Sequence, residues 1–146
     1  GTFTFVIPPT LWCFEFDHHK KLVGSRMSIC DQIPKNLNHS VNIRRWEFGN
    51  VYIENGKICW GSVNVSAFGP QAVDELMRMF WYTPFNDDLI TTFSTTLPDL
   101  RPVEYQTIWT LAALWQKQTA DPVILPKVFS IMCSTPLQWL TTRSEQ

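Results

Sequence analysis

A chain of 146 residues is long enough to bury a core without disulfide or metal staples, and its length fits one domain. Charged residues make up 17%, the formal net charge is −1 and no basic block occurs, so the electrostatic footprint of a nucleic-acid binder is absent. Hydrophobic residues at 45%, with seven Trp and ten Phe, argue for a folded globule, part of whose apolar surface a partner or a further segment covers. No signal peptide and no apolar run of membrane-spanning length is read in the sequence. Gly1 in place of Met reads as a trimmed tag or an excised fragment. The expectation is therefore one domain over residues 2–146, with a longer natural chain left open.

The four cysteines, Cys13, Cys30, Cys59 and Cys133, form no C-x-x-C pair, which excludes a zinc ribbon and a thioredoxin-type motif. Free thiols of this kind suit a reducing, cytoplasmic setting. The even count still permits two disulfides in a secreted protein, and Asn38-His39-Ser40 and Asn64-Val65-Ser66 are formal glycosylation sequons of a type common by chance.

In chain order, Thr2 to Ile7 alternates and is rich in aromatic and β-branched residues, a strand stopped by Pro8-Pro9. Leu11 to Phe16 is a second strand, and Asp17-His18-His19-Lys20-Lys21 a solvated turn. Paired histidines invite a metal, yet neighbours on an extended chain point to opposite faces and no third ligand stands at a usual spacing, so no metal is expected. Leu22 to Cys30 is a third strand, broken near Gly24. A loop with Pro34 follows from Asp31 to Ser40, and Val41 to Trp46 is a fourth strand.

The stretch from Asn50 to Ser62 carries the strongest local signal. Val51, Ile53 and then Ile58, Trp60 flank the pair Asn55-Gly56, the mark of a tight hairpin because both turn residues tolerate positive φ. Cys59 falls just after that turn, ahead of Gly61, with Lys57, Arg44 and Arg45 as cations that favour a thiolate. The position reads in two ways, as a reactive thiol near the surface or as a small hydrophobe packed in a sheet.

Gly69-Pro70 then starts a helix whose Val73, Leu76, Met77 and Phe80 recur at helical spacing, with Asp74 and Glu75 near its positive end. Trp81-Tyr82-Thr83-Pro84 ends it, and Phe85-Asn86-Asp87-Asp88 reads as a solvated turn. Thr91 to Thr96 is a Ser/Thr-rich loop. A second helix starts at Pro102, with Tyr105, Ile108, Ala112 and Trp115 as its stripe, and Asp121-Pro122 breaks the chain after it. Leu125 to Met132 and Leu137 to Leu140 are short helical candidates, the latter capped by Ser134 or Thr135. Strands come first and helices afterwards, an α+β domain. The six glycines form no phosphate-cradling pattern.

The string Asn50-Val51-Tyr52, a short polar turn and Gly56-Lys57-Ile58-Cys59 resembles the active-site hairpin of ubiquitin-conjugating enzymes, the E2 class. There a His-Pro-Asn triplet precedes the turn, and Gly-x-Ile-Cys supplies the cysteine that carries a modifier as a thioester. Phe48-Gly49-Asn50 stands at the place of the triplet. Cys-x-Gly-Ser at Cys59 to Ser62, Phe80-Trp81-Tyr82-Thr83-Pro84-Phe85, Leu114-Trp115 and Val123-Ile124-Leu125-Pro126 are similar to prokaryotic E2 family D, the PRTRC system protein B-like branch, over residues 41–132.

The resemblance implies a UBC-like fold, an antiparallel β-meander followed by helices packed on one face. It implies a cysteine-thioester acyl transferase in which Cys59 holds the modifier and Asn50 either donates to the thioester oxyanion or braces the backbone. The family's histidine has no counterpart here, and on chemical grounds a carboxylate at Asp87 or Asp88 is the candidate to orient or deprotonate the incoming amine. The implied partners are a ubiquitin-like modifier, an E1/ThiF-like activating enzyme and a JAB-type peptidase, with no cofactor, nucleic acid or membrane. The chain departs from the pattern in lacking His-Pro before Asn50, and in carrying Asn86-Asp87 where the family tends to show Thr-His. Those departures support a second reading, an inactive scaffold of the same fold within a plasmid- or defence-encoded complex. A third, a cysteine hydrolase pairing Cys59 with His18, His19 or His39, stays open because triads assemble in space.

Overall fold

The computed structural model describes residues 4–47, 49–52, 55–83, 93–96, 102–105, 108–119, 121–124 and 129–142. Its centre is the antiparallel pair β2 (Thr10–Phe16) and β3 (Leu22–Cys30), registered so that Trp12 faces Met27 and Phe14 faces Ser25. The polar cluster between them is the expected turn. Asp17 Oδ1 accepts from the backbone N–H groups of His19 and Lys21, both at 2.9 Å, and Lys20 takes a left-handed φ of 61°. The break near Gly24 is a β-bulge. Glu15 opposes Gly24 and Phe16 opposes Leu22, which leaves Val23 without a partner in the register.

Of the fourth strand expected over Val41 to Trp46, only β4 (Ile43–Arg44) pairs as a strand, with Cys30 opposite Ile43 and Ile29 opposite Arg44. Its other side is taken by β8 (Ile131–Cys133), giving a four-stranded antiparallel sheet in the order β2-β3-β4-β8. The helix expected over Leu125 to Met132 is thus corrected at its C-terminal end. Ile131 and Cys133 find cross-strand partners at Arg44 and Ile43, and pairing outweighs the weak helical tendency of so short a segment. A short parallel pair joins β1 (Phe5–Val6) to β7 (Val123–Ile124).

A second correction concerns the loop at Thr91 to Thr96 and the helix start at Pro102. Strands β5 (Phe93–Thr96) and β6 (Pro102–Tyr105) pair antiparallel, with Pro102 in the end pair opposite Thr96, where a missing N–H disturbs a ladder least. The aromatic and β-branched residues of both segments suit extended backbone. Tyr105 therefore lies on a strand, and helix α2 (Ile108–Gln116) begins after it.

Helix α1 (Val73–Tyr82) opens through a 3-10 turn at Pro70–Ala72, as the Gly69-Pro70 signal requires, and buries Leu76 and Phe80. It closes at Thr83, whose backbone N–H and hydroxyl both donate to the Met79 carbonyl. Helix α3 (Pro136–Thr141) is capped by Thr135, whose hydroxyl oxygen accepts from Gln138 N at 3.1 Å.

Side-chain alternation along β3 divides the packing in two. Met27 and Ile29 join Trp46, Val51, Ile58, Phe80 of α1 and Leu111, Ala112 and Trp115 of α2 in one core. Cys30 points the other way, into a smaller cluster with Val41, Ile43 and Trp139 of α3. Helices therefore cover both faces of the sheet, where packing on one face was expected. In the larger core Trp46 meets Phe80 and Phe129 edge-on at 6.1 and 6.0 Å between ring centroids. Trp46 is thereby fixed beside the chain that enters the cysteine hairpin. Among the described residues no helix is long and apolar enough to cross a membrane.

Candidate functional site at the Cys59 hairpin

The hairpin begins at Trp46, whose buried indole N–H donates to the Gly49 carbonyl at 2.9 Å. That bond holds a tight change of direction in which Gly49 has φ 114° and Asn50 φ 62°, a left-handed conformation that asparagine tolerates better than most side chains. Val51 then pairs with Ile58, and Cys59 N–H donates to the Asn50 carbonyl at 2.9 Å. Asn50 and Cys59 thus stand directly opposite each other across the hairpin.

The turn differs from the two-residue link expected from Asn55-Gly56. Gly56 N–H donates to the Tyr52 carbonyl and Tyr52 N–H to the Lys57 carbonyl, both at 2.8 Å, so the turn closes as an i to i+4 loop. Of the pair Asn55-Gly56, Gly56 takes a positive φ, 75°, whereas Asn55 acts through its side chain, its Oδ1 accepting from Lys57 N at 2.8 Å. Gly56 is needed for a second reason. A Cβ there would lie 2.9 Å from the Met27 carbonyl oxygen of β3.

That close approach lets the second arm extend the sheet. Met27 N–H donates to the Gly56 carbonyl, and Ile58 N–H to the Ser25 carbonyl. Ile58 enters the larger core, Trp60 packs against it and donates from Nε1 to Ser25 Oγ at 2.9 Å, and Cys59, between them, is a partly exposed free thiol. The strand period of two sets Cys59 on the face away from Ile58 and Trp60.

Of the three cations expected near this thiol, Arg44 is committed elsewhere. Its guanidinium grips Asp31 through Nε at 2.7 Å and Nη2 at 3.1 Å, and its Nη1 donates to the Phe129 carbonyl. The Arg44 hydrogen bond holds the Asp31 carboxyl below its ordinary range. Arg45 acts electrostatically on Glu47, and Lys57 stays exposed, paired across the strands with Arg26.

The remaining cysteines have different surroundings. Burial, then the charge of Asp31 and the neighbouring Cys133, pushes the Cys30 thiol up to about 11, and burial raises Cys133 as well. Cys13 is partly exposed beside the smaller cluster, and all four cysteines are free.

Asn50 is only 6% exposed, so the residue expected to face a thioester is packed into the hairpin, with its carbonyl already used by Cys59. Asp87, together with Asn86 and Asp88, lies outside the described residues. His39 is tied to its own loop, Nδ1 accepting from Lys35 N at 3.0 Å. His18 and His19 do not splay apart as neighbours on an extended chain would. The turn brings their rings to 3.8 Å, yet no group of three metal-ligating side chains occurs among the described residues.

Two features escaped the sequence reading. Glu47 is 2% exposed and accepts from Ser130 Oγ at 2.9 Å; burial raises its carboxyl above the ordinary value against the opposing pull of that bond. No pattern marks it, because its neighbour Ser130 is distant in sequence. The second is a cleft of about 280 Å³ between the start of β3 and the loop from Trp60 to Ser66. Ile58 and Trp60 line it and Cys59 does not. Comparison with protein-family models, curated protein sequences and solved structures finds no match.

Proposed function

We propose that this chain is a UBC-like carrier in which Cys59 accepts a ubiquitin-like modifier as a thioester and passes it to an amine or thiol. The observation that carries the reading is the backbone bond between Cys59 and Asn50, which sets the two motif residues opposite each other on an arm added to an antiparallel sheet. The Cys59 thiolate attacks the modifier's terminal carbonyl, held as a thioester on an activating enzyme; the new S–C bond forms and the activating enzyme's thiol leaves. An acceptor amine then attacks the same carbonyl, loses a proton, and releases the Cys59 thiol. Partly exposed Cys59 has the access this needs, whereas Cys30 has none.

Scaffold function without chemistry is the second reading, favoured by the burial of Asn50, which suits a brace better than an oxyanion donor. One experiment separates the two. Native protein is alkylated with limiting iodoacetamide at a series of pH values, and peptide mass spectrometry ranks the four cysteines. The carrier reading expects Cys59 to label first, at a pH where Cys30 and Cys133 remain unmodified. Labelling of Cys59 only after unfolding sinks the carrier and leaves the scaffold.

A further inference from the structure

The first residues of β3 are an incompletely used strand. Pairing with the hairpin arm stops at the bond from Ile58 N–H to the Ser25 carbonyl. Among the described residues no backbone hydrogen bond joins Leu22, Val23 or Gly24 to the loop from Trp60 to Ser66, although both walls face one cleft. On its other side the β-bulge drops Val23 from the β2 register. Strand edges of this kind carry free donors and acceptors and pair readily with a further strand. Val23, 62% exposed, and Val63, 45% exposed, add apolar lips to the cleft.

Charge narrows the occupant. Among the described residues Lys57 is the one charged side chain lining the cleft, and the exposed Lys20 and Lys21 precede Leu22 directly. Asp17 spends a carboxylate oxygen on two backbone N–H groups of the turn, and Glu15 lies against Gly24 from the β2 side, with its Oε2 3.7 Å from the site of a Gly24 Cβ. Among the described residues no carboxylate lines the cleft itself. We infer that this cleft receives an extended, carboxylate-bearing peptide segment of another protein, added as a strand alongside Leu22 to Gly24. Main-chain bonds give such a mode its affinity, and alternate side chains give it selectivity. The inference stands apart from the thioester reading, because Cys59 is not among the residues that line the cleft.

The probe is a dansyl-labelled peptide of three Val-Glu repeats, followed by fluorescence anisotropy, beside a Val-Lys peptide of equal length and a Val-Glu peptide N-methylated at alternate residues. Micromolar binding of the acidic peptide is expected, with both control peptides weaker by about tenfold or more. Val63→Asp, which adds a carboxylate to the lip, weakens the acidic peptide by about tenfold, and Lys57→Glu weakens it by a smaller factor. Both positions are exposed, and circular dichroism verifies that the variants fold. Cys59→Ser leaves binding unchanged, so an unreactive Cys59 and an empty cleft are separate failures. Equal affinity for acidic and basic peptides overturns the inference. So does full affinity of the N-methylated peptide, or no binding at millimolar concentration.

Discussion

Replacing Asn50 by glycine and, separately, by alanine tests whether the left-handed backbone at this residue shapes the cysteine hairpin. Both variants lose the side-chain amide, so its contribution cancels in the comparison. What remains is φ of 62°, which costs an alanine about 1–2 kcal/mol and glycine almost nothing. Glycine has the freer unfolded chain, which returns about 0.5–1 kcal/mol to alanine. The difference is therefore about 0.75 kcal/mol in favour of Asn50→Gly, or about 2 °C in melting temperature for a chain of this length. Urea unfolding followed by tryptophan fluorescence reads it directly, since Trp46 is buried and bonded to Gly49. Equal stability of the two variants, or a more stable Asn50→Ala, would refute the reasoning, because the strained residue would then not be what holds Cys59 opposite position 50.

Arg26 donates to the carbonyls of Trp139, Leu140 and Thr142 at 3.1–3.4 Å and lies 4.9 Å from the Trp139 ring centroid, closing the C-terminal end of α3. Arg26→Met keeps the stem and should cost about 2 kcal/mol in urea denaturation, the low end for several partly exposed charged bonds with a cation–π contact. Glu47 has a raised folded-state carboxyl, so its stabilising share is complete below the unfolded value of about 4.3 and is lost as pH rises through the folded value. Glu47→Gln should thus stabilise the protein at pH 7, and the gain should vanish below about pH 4 in pH-resolved melting curves. Asp31 has the opposite sign: Arg44 depresses it, so its contribution is present above about pH 4 and disappears as pH falls through the folded value. Arg44→Met should flatten that acid limb, and an unchanged limb would show that the ion pair does not set it.

Much of the frame was legible in local sequence. Alternation and the polar cluster at Asp17 to Lys21 located β2, β3 and their turn, Gly24 marked the bulge, and Gly69-Pro70 with the stripe from Val73 to Phe80 located α1. Where long-range pairing decides, local pattern was silent. Ile131 to Cys133 becomes a strand only because Ile43 and Arg44 offer an edge from a distant part of the chain, and Phe93 to Thr96 needs Pro102 to Tyr105 opposite it. At the candidate site the turn pattern pointed to Cys59 and the need for Gly56, and the resemblance to E2 hairpins pointed to Asn50. Neither revealed that Asn50 rather than Asn55 takes positive φ, since that follows from Trp46 gripping Gly49. The diversion of Arg44 to Asp31, and the burial of Glu47 against Ser130, likewise depend on contacts that no local pattern encodes.

The exposure of Cys59 and the open cleft have one structural origin. The side of β3 away from β2 is shared between two short partners, the hairpin arm beside Ser25 to Met27 and β4 beside Ile29 and Cys30. Neither is long enough to reach Leu22. The arm leaves the β3 ladder after Ile58; Cys59 then bonds back to the Asn50 carbonyl, while Trp60 turns to Ser25 and walls the cleft. A longer arm would seal the strand edge and bury the thiol in the same step. The end of that ladder therefore leaves both a partly exposed Cys59 and an unfilled strand position beside Leu22 to Gly24.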